Sequence, residues 1–157
     1  MNKIINTSNN SYFMLQLQLF LIRAFIGLNF IHHFAEKFGW LGQNALTKTT
    51  SYFASIGFSP TMVFIAGVCE FMACIGLTLG LFTRFTAVCT TIYLIVALIA
   101  GNHHTMGFIW ANPGGGWEFP LFWAAMCLCF VINGGGTLSL DKILITKLPK
   151  KLQFLCV

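Results

Sequence analysis

The chain has 157 residues, 57% of them hydrophobic and 8% charged, with a net charge of +5 and a mean hydropathy of +0.78. A water-soluble domain of this length leaves too much of its surface in water to carry that composition. A polytopic membrane protein meets no such limit, because lipid solvates its exterior. The basic residues are spread thinly along the chain, which speaks against a nucleic-acid partner.

The first apolar run covers residues 13–34 and carries Arg23 near its midpoint. A polar stretch through Ser11 precedes it, and no small-residue cleavage site follows, so it reads as a retained first helix and not a signal peptide. The second run, 61–81, opens after Pro60, a residue suited to a first helical turn. It holds Glu70, one of only four acidic residues in the chain. The third run is 85–106 and the fourth 117–132, the last closed by Gly134, Gly135 and Gly136. Each approaches the roughly 20 residues a spanning helix needs, the fourth being the shortest. The expectation is an all-α, four-helix membrane bundle forming a single domain over 1–157.

With four spans both termini share a side. That side holds Lys3, Arg84, Lys142, Lys147, Lys150 and Lys151, against Lys37 and Lys48 on the other. The excess of basic residues predicts cytoplasmic termini. Residues 140–157 mix Ile143, Leu144 and Leu148 with four lysines and read as a basic amphipathic tail on the inner leaflet. The longer loops face outward. Residues 45–56 suit a short surface helix, and 101–118 are rich in Gly and aromatics, with Trp110 and Trp117 placed for the aromatic belt. The turn Gly114–Gly116 is either a backbone anion nest or a tight turn.

The six cysteines include no Cys-x-x-Cys pair, and most sit inside apolar runs as packing residues. Cys127 and Cys129 point apart on a helix. No nucleophile elbow, phosphate loop or dinucleotide fingerprint is present.

A charge at the bilayer centre costs roughly 2.5–3.5 kcal/mol, so Arg23 and Glu70 should face protein or a polar cavity. Measured along their helices, both lie about 15 Å from a surface, near the midplane. Two readings follow: a buried ion pair locking two antiparallel helices, or a polar centre for a ligand head group or for protons. Helical spacing continues the face above Arg23 through Gly27, Phe30, Phe34 and Lys37, with His33 on its flank. Gly27 would let a neighbour approach closely. His32 and His33, with His103 and His104, end two helices outward, level with Glu36 and Glu118. That set suits either a metal or haem site or hydrogen-bonded interfacial histidines; no ligand motif accompanies it, and no metal is expected.

These residues resemble the DoxX family of small four-helix bacterial and archaeal membrane proteins. The first-helix pattern is similar in Arg23, Gly27, Phe30, His33 and Lys37, and the second in Glu70, Gly76, Gly80, Thr83 and Arg84. Gly134, Gly135 and Gly136, running on to Ser139, Leu140 and Asp141, resemble the family's Gly-rich stretch closing in Ser-Leu-Asp. One departure is Phe34, where the family usually has Gly; its bulk is expected to narrow an outward cleft. The resemblance implies work in respiratory or redox systems. Named members include a subunit of a thiosulfate:quinone oxidoreductase and a membrane partner in an oxidative-stress complex, but the family has no single reaction.

The reading is therefore a multi-pass protein of the bacterial inner membrane and a component of an oxidoreductase system. Quinone is the candidate ligand, at a centre made by Arg23, Glu70, Gly27 and Phe30, with His33 and Lys37 near its outer mouth. A redox protein and a second copy of the chain are candidate partners. The rival reading is a non-enzymatic carrier, or an anchor for a soluble partner. The residues themselves specify no reaction.

Overall fold

The computed structural model describes residues 2–156, with side chains from residue 9 onward. Met1, Val157 and the side chain of Lys3, all used in the sequence reading, lie outside the described residues. Four apolar helices pack side by side: α1 (Asn2–Lys37), α3 (Pro60–Leu79), α4 (Thr83–Ala100) and α5 (Glu118–Asn133), with a shorter helix α2 (Gln43–Ser55) after the first. A single 3-10 turn, His103–Thr105, follows α4; the short helix α6 (Asp141–Leu144) and the turn Lys150–Leu155 close the chain. Among the described residues α1, α3 and α4 are long and apolar enough to cross a membrane, while α5, with 16 residues, is shorter.

Two boundaries differ clearly from the sequence expectation, each for a local reason. α1 starts at Asn2, well before residue 13, because no Gly or Pro interrupts the polar stretch that precedes the apolar run. α4 stops at Ala100 and not near 106: Gly101 caps it, and Asn102 takes the left-handed region at φ 56. The tail, expected to be basic and amphipathic, contains the helix α6 and a 3-10 turn. It folds back on itself, with Gln153 donating from Nε2 to the carbonyls of Ile145 (3.0 Å) and Leu148 (3.1 Å), and Cys156 buried.

Without a hydrophobic drive between helices in lipid, close packing depends on small residues. α3 supplies them on its buried stripe, at Ala66, Gly67, Ala73, Cys74 and Gly76. A Cβ on Gly27 of α1 would meet Thr78 Oγ1 and lie 2.7 Å from the Thr78 backbone nitrogen. On Gly76 a Cβ would lie 2.6 Å from Thr86 Cγ2 of α4. The bundle is thus two close pairs, α1 with α3 and α4 with α5, with α3 meeting α4 less closely. Ile26, Phe30, Leu77, Trp123, Cys127 and Phe130 fill the interior between them.

Candidate functional site

The two intramembrane charges lie in separate places, and the ion pair Arg23–Glu70 considered from sequence is not formed. Gly27 sits against Thr78 and Gly67 against Lys37, a register that puts Glu70 opposite position 34, about three helical turns along α1 from Arg23. The two were expected at one depth because that expectation counted from helix ends that the sequence located only approximately.

Arg23 belongs to a clasp at the end of the bundle that carries the α3–α4 turn. Its side chain is fully buried and donates from Nη1 to Leu77 O (2.7 Å) and from Nη2 to Leu138 O (2.7 Å). α3 ends in a Schellman turn, with Gly80 at φ 66 and Leu81 N donating to Gly76 O at 2.9 Å. Phe82 follows with φ 46, an unusual conformation for a non-glycine residue. Asp141 holds that conformation. Its buried carboxylate accepts from Phe82 N (2.6 Å) and Thr83 N (2.7 Å), capping α4, while its own N–H donates to Gly80 O (2.9 Å). Gln16 of α1 accepts from Thr137 N at 2.7 Å. The Gly-rich segment ending in Ser-Leu-Asp therefore ties α1, α3 and α4 together. Cys156 sits beside Asp141, and burial, with a hydrogen bond to that carboxylate, pushes its thiol up to about 11.

The second polar cluster lies towards the opposite end. Lys37 Nζ meets Glu70 Oε1 at 2.8 Å, and Tyr93 of α4 donates its hydroxyl to the same oxygen at 2.5 Å. The Lys37 and Glu70 side chains are 9% and 5% exposed. Lys37 also reaches His33 O at 3.3 Å. Glu70 Oε2 is buried and accepts from no described residue. These groups line a cavity of about 610 Å³ bounded by α1, α2, α3, α4 and the start of α5. Its walls are mostly apolar and aromatic, including Phe30, Phe119 and Trp123, with the Phe30–Trp123 and Phe119–Trp123 ring centroids 5.2 and 4.7 Å apart. Its size and lining suit a small organic molecule.

Of the residues singled out from sequence, the structure brings Phe30, His33, Lys37 and Glu70 to this cavity. Arg23 and Gly27 are not part of its lining; the space beside Gly27 is taken by Thr78 and leaves no room for a ligand. Phe34 does not narrow the cavity either. It turns the other way, into rings of Phe38, Trp40 and Phe71 at 5.9, 5.6 and 5.3 Å. Tyr93 was missed, although the signal was present: it lies about as far after the α3–α4 turn as Glu70 lies before it, so a hairpin sets the two level.

α2 forms the lid of the cavity through Tyr52, Phe53 and Ile56. Tyr52 donates to Gly101 O at 3.3 Å, and burial raises its phenol above the ordinary value. The outward histidines do not gather around one point. His32 pairs with Glu36 at 3.2 Å, His33 packs on Trp123, and His103 Nδ1 lies 3.0 Å from Gly114 O. Glu118 instead accepts from Trp110 N at 3.2 Å. Among the described residues no three His, Cys, Asp or Glu side chains form a metal-ligand group. The Gly114–Gly116 segment is a tight turn and not an anion nest: Gly115 N donates to Asn112 O, and carbonyls of Gly107, Phe108 and Ile109 crowd Gly116.

A sequence-family model described as DoxX matches residues 18–103, which carry most of α1, all of α2, α3 and α4, and the cavity residues His33, Lys37, Glu70 and Tyr93 among others. No curated protein and no solved structure matches the chain.

Proposed function

The chain belongs to the DoxX family of multi-pass membrane proteins, and on that premise we propose that it is the membrane component of a redox system that binds a quinone-type molecule in the cavity beneath α2. The observation that carries this reading is the Lys37–Glu70–Tyr93 cluster in an otherwise apolar, aromatic cavity of about 610 Å³. Apolar walls with a few placed polar groups are what a lipid-soluble ring with a polar head requires. Met62, Ile65 and Val96 line the cavity and are also exposed on α3 and α4, which favours loading from the bilayer. Family membership supports the redox assignment by analogy only.

The test is lipid extraction of the purified protein, together with melting in the presence of a short-tailed quinone. Quinone should be recovered, and the melting temperature should rise in wild type but not in Ala97→Phe, which fills the cavity from α4. No recovered quinone and no thermal shift would leave the carrier or anchor reading in its place. Arg84 and Lys142 flank the clasp, and Lys147, Lys150 and Lys151 follow in the tail; this excess of basic residues supports a cytoplasmic clasp end in a bacterial inner membrane. A membrane-impermeant thiol probe added to intact cells should reach Lys48→Cys and not Lys147→Cys; the reverse pattern would invert the topology.

A further inference from the structure

We infer that the cavity selects a neutral hydroxyl donor, so that of the two redox forms of a quinone it holds the reduced, hydroxyl-bearing quinol. This deepens the proposed function and rests on it. The argument starts from the hydrogen bonds of Glu70. Its Oε1 takes both donors of the cluster, the Lys37 ammonium and the Tyr93 hydroxyl. Its Oε2 is buried, belongs to a residue that lines the cavity, and accepts from no described residue. An ionised carboxylate only accepts hydrogen bonds, and a buried acceptor left unmatched is unfavourable. That unmatched oxygen, on a residue that lines the cavity, therefore calls for a donor. A quinone carbonyl has none to give and would face the carboxylate lone pairs; a quinol hydroxyl supplies one.

His103 is a second group of the same sense. His103 Nδ1 lies 3.0 and 3.2 Å from the carbonyls of Gly114 and Gly115. Carbonyls only accept, so Nδ1 carries a proton and donates to them, and in the tautomer with that single proton Nε2 is an acceptor. Tyr52 already spends its hydroxyl proton on Gly101 O.

Charge excludes the other donors. Lys37 balances Glu70 at 2.8 Å, and Glu36 and Lys48, which also line the cavity, are of opposite sign. An amine ligand would bring an unbalanced positive charge into a low-dielectric space. The ligand is thus neutral, and the Phe30, Tyr93, Phe119 and Trp123 rings favour an aromatic body that meets them edge to face or stacked.

The experiment compares three probes on wild-type protein in lipid nanodiscs under argon: decylubiquinol, decylubiquinone, and the dimethyl ether of decylubiquinol, which keeps the ring and tail but lacks both O–H groups. Dissociation constants are measured for each. A hydrogen bond to a charged acceptor predicts at least about tenfold tighter binding of the quinol than of either other probe. Glu70→Gln, whose amide offers a donor in place of a carboxylate oxygen, should bring the three to within about threefold of one another. If Glu70→Gln does not fold because Lys37 loses its partner, the ether comparison on wild type still decides. Equal binding of all three probes overturns the donor inference and leaves the quinone-type site standing. Binding of none overturns both.

Discussion

Glu70 is tolerated inside an apolar helix because Lys37 and Tyr93 both reach its Oε1. Such a pair adds little net stability over an apolar pair of the same shape, but removing one member strands the other, at about 3–5 kcal/mol. Lys37→Met and Glu70→Gln should therefore each lower the melting temperature in detergent, and the double variant should lose less than the sum, with an interaction energy of about 1–3 kcal/mol. Arg23 makes its bonds to Leu77 O and Leu138 O, so Arg23→Met combined with Glu70→Gln should be additive to within about 0.5 kcal/mol. Strong coupling in that second cycle would mean that the two charges meet after all. The sequence marked Arg23 and Glu70 as the charges that need an explanation, because a charge in the middle of an apolar run is legible from the sequence, and it placed Lys37 near the outer end of the same helix face as Arg23. It did not give their partners, because a partner depends on the register between helices, and spacing along one helix carries no information about the helix beside it.

The elements were largely legible. Four apolar runs became α1, α3, α4 and α5, and the expected surface helix within 45–56 became α2. The ends were less so, since the start of α1 and the end of α4 depend on weak capping signals and not on hydropathy. Register between α1 and α3 is set by small residues, above all by Gly27 in contact with Thr78. Gly27→Ala places a methyl group against the Thr78 backbone, which cannot swing aside as a side chain can. The expected result is a loss of about 1–3 kcal/mol, read as a lower melting temperature, from overpacking. An unchanged melting temperature would show that α1 and α3 can separate at that level without penalty. The role of α2 as a lid was not legible, because a polar surface helix and a cavity lid share one amphipathic pattern.

Over the whole molecule the two polar clusters divide the bundle into a closed end and an open one. At the closed end the Arg23 guanidinium bonds to Leu77 O and Leu138 O and the Asp141 carboxylate to Phe82 N and Thr83 N, with Arg23 Nε and Thr83 Oγ1 left unmatched. At the open end α3 and α4 both line the cavity. The clasp also bears on the order in which the protein is made. Phe82 N, Thr83 N and the Arg23 guanidinium are all inserted early, yet their partners Leu138 and Asp141 are synthesised only after the last helix. Until those residues leave the ribosome, a buried cation has its bond to Leu77 O but lacks the one to Leu138 O, and two helix-start N–H groups wait without partners. The segment 138–141 therefore acts as a check of completeness: a chain broken off at residue 136 contains every helix of the bundle and still cannot close. Such a chain should insert normally in a pulse-chase experiment and then be degraded several-fold faster than the full-length protein. Equal half-lives would show that the helices hold together without their last knot.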